Sequence, residues 1–133
     1  MRYLLDTNIC IYLIKTHPPE VLEKFKKHRP QDVAISIITL FELEYGVEKS
    51  QQQLRAQKAL EQFLLPLNIL DLDRPAATEA ATIRAQLERK GTPIGPYDIL
   101  IAGQARSQAM TLVTNNTREF ERIDGLFLEN WTL

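Results

Sequence analysis

Four residues along the chain carry side-chain oxygens that could hold a metal ion or act on a phosphate: Asp6, Glu42, Asp98 and Asn116. Three carboxylates that converge on one spot repel each other, and burial raises their pKa values unless a cation neutralises them. The chain has one cysteine and two histidines, so a ligand set built of oxygen favours Mg²⁺ or Mn²⁺ over zinc. Such a cation with its bound waters suits phosphoryl transfer.

Each of these residues also has an ordinary structural explanation. Asp6 could cap the helix that follows it, and Asp98 could be an acid that the helix dipole favours in a first turn. Glu42 could be a solvated helical glutamate, as we expect for its neighbour Glu44, although Glu42 lies near an apolar face. Asn116 could be a turn residue. Residue by residue, both explanations stay open.

Alternating strands and helices must position these side chains. Short apolar runs bounded by turn residues predict strands at 2–5, 32–36, 68–72, 111–114 and 126–129. Helical spacing predicts helices at 8–16, 19–28, 37–49, 51–65, 75–90 and 97–109, with a helical turn at 117–121. Since parallel strands need crossover connections, we expect an α/β fold with three layers, α/β/α, around a short, mostly parallel central sheet.

The predicted strands bring three of the four candidates to one edge of the sheet. Ligands of open parallel sheets bind beyond the carboxyl ends of the strands. Asp6 follows the first strand, Asn116 follows the fourth, and Glu42 lies about one and a half turns into the helix after the second. Strand position does not place Asp98, although a helix that crosses this edge could bring it there.

Composition restricts the class of protein. At 133 residues, 44% hydrophobic and 25% charged, the chain is expected to form one globular domain over residues 1–133. A net charge of −1 gives no support to broad nonspecific nucleic-acid binding, but it permits a local basic rim. The start, MRYLLDTN, reaches an aspartate too early for a signal peptide, and no apolar run approaches membrane-span length. We therefore expect a cytoplasmic protein without membrane contact.

Four stretches in series resemble a known family. They are LLDTN at 4–8, SIITLFELEYG at 36–46, GPYDILIAGQA at 95–105 and LVTNNTREFERIDGL at 112–126. In this order and spacing they resemble the PIN-domain ribonucleases and, more narrowly, the VapC toxins of bacterial VapBC toxin–antitoxin systems. The resemblance extends over almost the whole chain, and the segment 91–105 is similar to the VapC subgroup that acts on tRNA.

The resemblance implies a PIN-like fold and a metal-dependent endoribonuclease. Asp6, Glu42 and Asp98 match the acids with which the family holds Mg²⁺ or Mn²⁺, directly or through water, to activate a water that cuts an RNA phosphodiester. Many relatives carry a further aspartate where this chain has Asn116. Asn116 could orient water there, or Glu119 could supply the acid from the next turn. Further hydrogen bonds to these groups could come from Thr7, Asn8, Ser36 and Thr114.

The resemblance also implies partners. The substrate would be a structured RNA, a tRNA anticodon arm, with initiator tRNA as the best single prediction. A VapB-like antitoxin would wrap the chain, against the amphipathic segments 8–28 and 51–65, and would carry the DNA contact of any larger complex. The family also forms homodimers. Basic side chains that could contact RNA are Arg84, Arg89, Lys90, Arg106 and Arg118.

Two other functions fit parts of the sequence. An aspartyl-phosphate phosphatase would also place an aspartate after the first strand, but it normally needs a second acid two residues later, where this chain has Asn8. A non-catalytic binding module would keep the acids but lose activity through Asn116. Metal-dependent cleavage of RNA separates the nuclease from both alternatives.

Overall fold

Within residues 2–133, which the computed structural model describes, five short strands form a central sheet. They are β1 (Tyr3–Leu5), β2 (Val33–Ser36), β3 (Asn68–Leu70), β4 (Thr111–Val113) and β5 (Phe127–Glu129). Their order is β3-β2-β1-β4-β5, and every neighbouring pair is parallel. The predicted α/β class with a short parallel sheet is therefore confirmed. Met1 of the expected domain lies outside the described residues.

Helices connect the strands and cover the sheet. They are α1 (Thr7–Lys15), α2 (Pro19–Lys26), α3 (Ile37–Glu48), α4 (Gln53–Leu64), α5 (Arg74–Arg89), α6 (Pro96–Ser107) and α7 (Thr117–Phe120). The predicted strands and helices are confirmed, and their ends agree within two residues. Asp32, predicted to open the second strand, instead ends a 3-10 turn at Pro30–Asp32, because its N–H bonds back to the Arg29 carbonyl at 2.9 Å. Among the described residues, no helix is both long and apolar enough to span a membrane.

Alternating side chains along β1 divide the core between the two faces of the sheet. Tyr3 and Leu5 belong to a buried cluster that α1, α2, α3 and α4 complete, with Ile9 at its centre. Leu4 belongs to a second buried cluster, which is closed by α5 and α6 through residues such as Ile101. Helices therefore lie on both faces of the sheet, and the predicted three layers are confirmed. Each large side chain buried in this way contributes roughly 1.5–3 kcal/mol.

Close packing of α5 on α6 fixes the helix that carries Asp98. A Cβ atom placed on Gly103 of α6 would lie 2.7 Å from the Ala80 Cβ, a distance that real contacts do not reach. The next residue, Gln104, is fully buried, and its side-chain amide donates to the carbonyls of Leu70 (3.3 Å) and Asp71 (3.0 Å) at the end of β3. These two contacts hold α6 both to α5 and to the sheet.

We expect Gly103→Ala to lower the free energy of unfolding by about 1–3 kcal/mol, because the added methyl meets the backbone of α5. Gly46→Ala in α3 is the matched control, since a Cβ there meets nothing within 4 Å. That change is expected to stabilise the chain by about 0.5–1 kcal/mol through the entropy of the unfolded state. Urea unfolding measures both. Equal effects of the two substitutions would contradict a tight α5–α6 contact.

Candidate metal centre

Asp6 begins α1 and also lies at the carboxyl end of the central strand. Its Oδ1 accepts a hydrogen bond from the Ile9 backbone N–H at 2.9 Å, so the capping explanation is correct. Its own backbone N–H donates to the Val113 carbonyl at 3.0 Å, which continues the pairing of β1 with β4. The strand register sets Asp6 level with Ser36 and Thr114 at the ends of the two neighbouring strands. Asp6 therefore both caps α1 and lies at the carboxyl edge of the sheet.

Burial makes the Asp6 carboxyl unusually weak as an acid. The residue is only 5% exposed, and loss of water raises its pKa from 3.8 to about 6. Hydrogen bonds from the Thr114 side chain and the Ile9 N–H act in the opposite direction. The negative charges of Asp98 and Glu42 act in the same direction as burial and are smaller contributions to this value. The three acids are therefore close enough to sense each other's charge.

Glu42 is held in place by a pair of threonines. Its Oε1 accepts a 2.7 Å hydrogen bond from the Thr7 hydroxyl, which joins α3 to the start of α1. The Thr7 and Thr39 hydroxyl oxygens lie 3.3 Å apart. Because the single Thr7 proton goes to Glu42, the fully buried Thr39 supplies the proton of the second bond. Glu42 is thus a partly buried, oriented carboxylate, whereas Glu44 is exposed as expected.

Asp98 lies in the first turn of α6 and is also partly buried. Loss of water raises the pKa of its carboxyl, and the charges of Glu119 and Glu42 raise it further. Glu119 lies in α7, directly after the end of β4. The structure therefore brings Asp98 near the two acids Glu42 and Glu119, although strand position alone did not place it.

The polar residues after β4 have separate roles. The Asn116 N–H donates to the Thr114 hydroxyl oxygen at 2.9 Å, and Asn116 occupies the N-cap position of α7, yet its side chain makes no capping bond. The Asn115 amide donates to the Tyr12 hydroxyl at 2.9 Å and so ties the end of β4 to α1. Its Oδ1 is buried without a hydrogen-bond partner in the part of the chain described. The Asn116 side chain thus remains available for another role.

The acids are too widely spaced to enclose a metal ion in a tight cage. Across residues 2–133, no three Asp, Glu, His or Cys side chains lie close enough to form a direct metal-binding group. Mg²⁺ usually keeps several of its waters and takes one or two protein carboxylates. Burial raises the pKa values of Asp6 and Asp98, and repulsion between the acids adds to the rise, so widely spaced oxygen ligands here fit a hydrated divalent cation better than a metal enclosed by protein.

Three of the five basic residues considered for RNA contact form ion pairs. The Arg84 guanidinium lies 3.3 Å from Glu88, and Lys90 lies 3.6 Å from Asp124, both at the surface. Arg106 is different, because its mostly buried guanidinium pairs with Glu79 at 3.3 Å and donates to the Asp124 carbonyl at 3.0 Å. These bonds give Arg106 a structural role. Arg118 is exposed in α7, next to Glu119.

Exposed aromatic side chains lie beside the acids, and the sequence did not predict their exposure. Phe41 and Tyr45 share the helical spacing of Ile38, yet Ile38 packs against the core whereas the two aromatic residues are 52% and 58% exposed. They line a cleft of about 570 Å³ together with Glu42 and Tyr97. The sequence contains one signal that these rings lie near the acids, since Phe41 directly precedes Glu42 and Tyr97 directly precedes Asp98.

The chain has a parallel α/β sheet with carboxylates gathered at its carboxyl edge. This arrangement is suited to metal-assisted phosphoryl transfer. The profile of the PIN domain family matches residues 3–126. The chain therefore belongs to the PIN domain family.

Relatives agree with this assignment over their full length. The chain is 48% identical to the tRNA(fMet)-specific endonuclease VapC of Shigella flexneri, covering 99% of each. It superposes on VapC-family chains of two solved complexes: DNA-bound VapBC from Salmonella typhimurium (TM-score 0.93, 48% identity, 98% of each chain) and VapBC2 from Rickettsia felis bound to a promoter DNA fragment (TM-score 0.92, 43% identity, 98% of this chain and 99% of that one). The resemblance seen in the sequence is thus confirmed.

We expect Asp6→Asn to stabilise the metal-free protein at pH 8 by about 2–3 kcal/mol and to have no stabilising effect near pH 4. The folded-state pKa of about 6 exceeds the unfolded value, so the folded state binds more protons between these values and stability falls as the pH rises through that window. Asparagine keeps the cap. Thermal unfolding in EDTA at both pH values measures the difference.

Asp73→Asn is the control for this measurement. Asp73 also caps a helix, through the Ala76 N–H at 3.0 Å, but it is exposed. Its substitution shows how much of any effect comes from changing a capping aspartate at an exposed site, without burial. A pH-independent effect at Asp6 would contradict a burial-raised pKa.

Proposed function

We propose that this chain is a Mg²⁺-dependent endoribonuclease toxin, with Mn²⁺ as an alternative cation, that cleaves tRNA and is neutralised by a VapB-like antitoxin. The proposal is supported above all by Asp6, whose buried carboxyl feels the charges of both Glu42 and Asp98 at the carboxyl edge of the sheet. Buried acids of like charge raise the energy of the empty site and so favour a bound cation.

In this proposal Asp6, Glu42 and Asp98 hold the cation, directly or through water. When bound, the cation would neutralise the scissile phosphate and lower the pKa of the attacking water. The Asp6 carboxyl must lose its proton before it can serve as a ligand, so binding should weaken below about pH 6. Hydrogen bonds from the Thr7 and Thr114 side chains orient the carboxylates of Glu42 and Asp6, respectively. Hydrolysis would leave a 5′-phosphate and a 3′-hydroxyl.

Two residues compete for the fourth position of the site. Glu119 is favoured as a charged group, since it acts on the pKa of Asp98. Asn116 has an uncommitted side chain at the end of β4 and could orient a water through its carbonyl oxygen. We assign the electrostatic role to Glu119 and the orienting role to Asn116.

The proposed substrate is the anticodon arm of a tRNA, with initiator tRNA as the first choice. The Shigella flexneri relative carries the name tRNA(fMet)-specific endonuclease, and the two sequences align over 132 residues. Unpaired loop bases are where RNA sequence is accessible to a protein. The cytoplasm, where tRNA is used, is the proposed location.

The proposed antitoxin site is an apolar groove between α1, α3 and α4. It has a volume of about 480 Å³, and Glu42 is one of its lining residues. Apolar side chains dominate its lining, among them Ile11, Ile14, Leu43, Val47, Ala56 and Leu60. A partner segment in this groove would bury that surface and could place a basic side chain beside the acids. We propose further that the chain forms homodimers and contacts DNA only through its antitoxin.

We expect Asp6→Ala and Asp98→Asn each to reduce Mg²⁺-dependent tRNA cleavage by more than about 100-fold, because loss of a ligand exceeds the roughly 10–100-fold effect of an outer partner. Glu44→Gln is the matched control and should cleave normally, since Glu44 is exposed. Asn116→Asp should retain or raise activity, whereas Glu119→Gln should lower it. Gel analysis of purified, partner-free chain with initiator tRNA measures all five variants.

Normal cleavage by both Asp6→Ala and Asp98→Asn would contradict the proposed ligand set. Uncut RNA with the wild-type chain across metals and tRNAs would favour the non-catalytic module instead. Loss of cleavage in a folded Asn116→Asp variant would show that the amide itself is needed.

Ala59→Glu should abolish antitoxin binding while leaving tRNA cleavage intact, because it puts a charge into the apolar groove. Leu54→Glu on the same helix is the control, since Leu54 is 82% exposed and does not line the groove. Calorimetry with the purified antitoxin measures affinity, and relief of growth arrest on co-expression provides a second readout. Equal antitoxin affinity of the two variants would exclude the groove as the docking site.

A further inference from the structure

Three aromatic side chains, Phe41, Tyr45 and Tyr97, form an exposed patch that the core does not use. They are 52%, 58% and 46% exposed. Phe41 and Tyr97 meet edge to face across α3 and α6, with ring centroids 5.6 Å apart and planes at 72°. Edge-to-face contact leaves a ring face open to a further aromatic partner. We call these three residues the aromatic patch.

The aromatic patch is joined to the acids by the backbone itself. Phe41 directly precedes Glu42, and Tyr97 directly precedes Asp98. Successive Cα atoms are about 3.8 Å apart, so the helices that position the acids also position the rings. Glu42 and all three rings line the same cleft of about 570 Å³. A group resting on the rings would therefore lie beside the proposed metal site.

A lysine contributes a positive charge to the lining of this cleft. The Lys49 ammonium lies 4.9 Å from the centre of the Tyr45 ring, and both residues line the cleft. A cation over an aromatic ring is held there by the ring's quadrupole. Open rings flanked by a cation suit a ligand that has both a flat base and a phosphate, which is a nucleotide of single-stranded RNA.

The size of the aromatic patch also favours a nucleotide over a protein. Three half-exposed aromatic side chains offer on the order of 300 Å². A stable protein interface buries about 800 Å² on each partner. The patch alone thus falls short of such an interface but is large enough for one or two bases. The aromatic rings also distinguish this cleft from the groove assigned to the antitoxin, which no aromatic side chain lines, although Glu42 and Lys49 line both.

We propose that the aromatic patch stacks an unpaired base of the substrate and that Lys49 contacts the adjoining phosphate, which together set the position of the scissile bond. The proposal rests on the proposed ribonuclease function and adds to it the residues that recognise the substrate. Stacking is tolerant of base identity, so the patch selects for an unpaired base rather than for a particular sequence.

The test uses the full chain and an initiator-tRNA anticodon stem-loop with 2-aminopurine at each loop position in turn. Stacking quenches the fluorescence of 2-aminopurine, and Ca²⁺ in place of Mg²⁺ allows binding to be measured apart from cleavage. Phe41→Leu and Tyr97→Leu remove the rings, and Lys49→Gln removes the charge. Phe127→Leu is the matched control, because Phe127 is 59% exposed on β5 and lies outside the cleft.

We expect wild type and Phe127→Leu to quench one or two adjacent loop positions. Phe41→Leu and Tyr97→Leu should lose this quenching and raise KM by about 5- to 100-fold with a smaller change in kcat. Lys49→Gln should raise KM but keep the quenching. Quenching and KM that are unchanged by the ring substitutions would overturn the proposal. Loss of antitoxin affinity or of dimerisation alone, with normal RNA binding, would assign the patch to a protein partner and also overturn it.

Failure of the proposed function gives a different result. If the wild-type chain quenches the probe without cutting any RNA, the stacking role stands and the nuclease assignment fails. If it cleaves normally but no loop position is quenched, the stacking role fails and the nuclease assignment stands. Neither quenching nor cleavage would overturn both.

Discussion

The whole site depends on one buried carboxylate at the end of the central strand. Parallel pairing of β1 with β2 and β4 brings Asp6 level with the ends of both neighbours, and the backbone bond to Val113 keeps it there. A charge in that position loses most of its water, which hydrogen bonds only partly replace. Thr114 and the Ile9 N–H compensate for part of that loss with hydrogen bonds, whereas the charges of Glu42 and Asp98 add repulsion.

The surrounding helices bring acidic side chains from distant parts of the sequence close to Asp6. α3 contributes Glu42, which the Thr7 hydroxyl joins to the helix that Asp6 begins. α6 contributes Asp98, and its position follows from contacts far from the acids, the approach of Gly103 to Ala80 and the buried Gln104 side chain. Apolar packing on the two faces of the sheet therefore offsets the unfavourable electrostatic free energy of bringing the acids together.

The sequence predicted the fold well because its signals were local. Apolar runs, prolines and helical spacing defined every strand and helix, and the carboxyl-edge rule placed Asp6, Glu42 and Asn116 without any structure. Asp98 was different, because its position depends on the path of α6 after a loop. The residues made it a candidate, and the family resemblance gave it a place in the site.

Other features of the site were beyond a reading of the residues. Helical spacing groups Phe41 and Tyr45 with Ile38, but spacing does not tell a ring in the core from a ring on the surface. Arg106 carries the positive charge expected of an RNA contact. Its partners Glu79 and Asp124 are distant in sequence, so its structural role is visible only in three dimensions. The effect of the Glu119 charge on the pKa of Asp98 likewise depends on three-dimensional proximity that the sequence does not give.

The double role of Asp6 has a genetic consequence. Asparagine caps a helix as well as aspartate does, and codons for the two residues differ by one base. With Asp6 as the proposed metal ligand, a single base change would give a cell under selection to escape this enzyme an inactive chain in which the start of α1 stays intact. Inactive copies produced in this way would still fold and would still present the α1–α3–α4 groove, so they could compete with active copies for the same antitoxin.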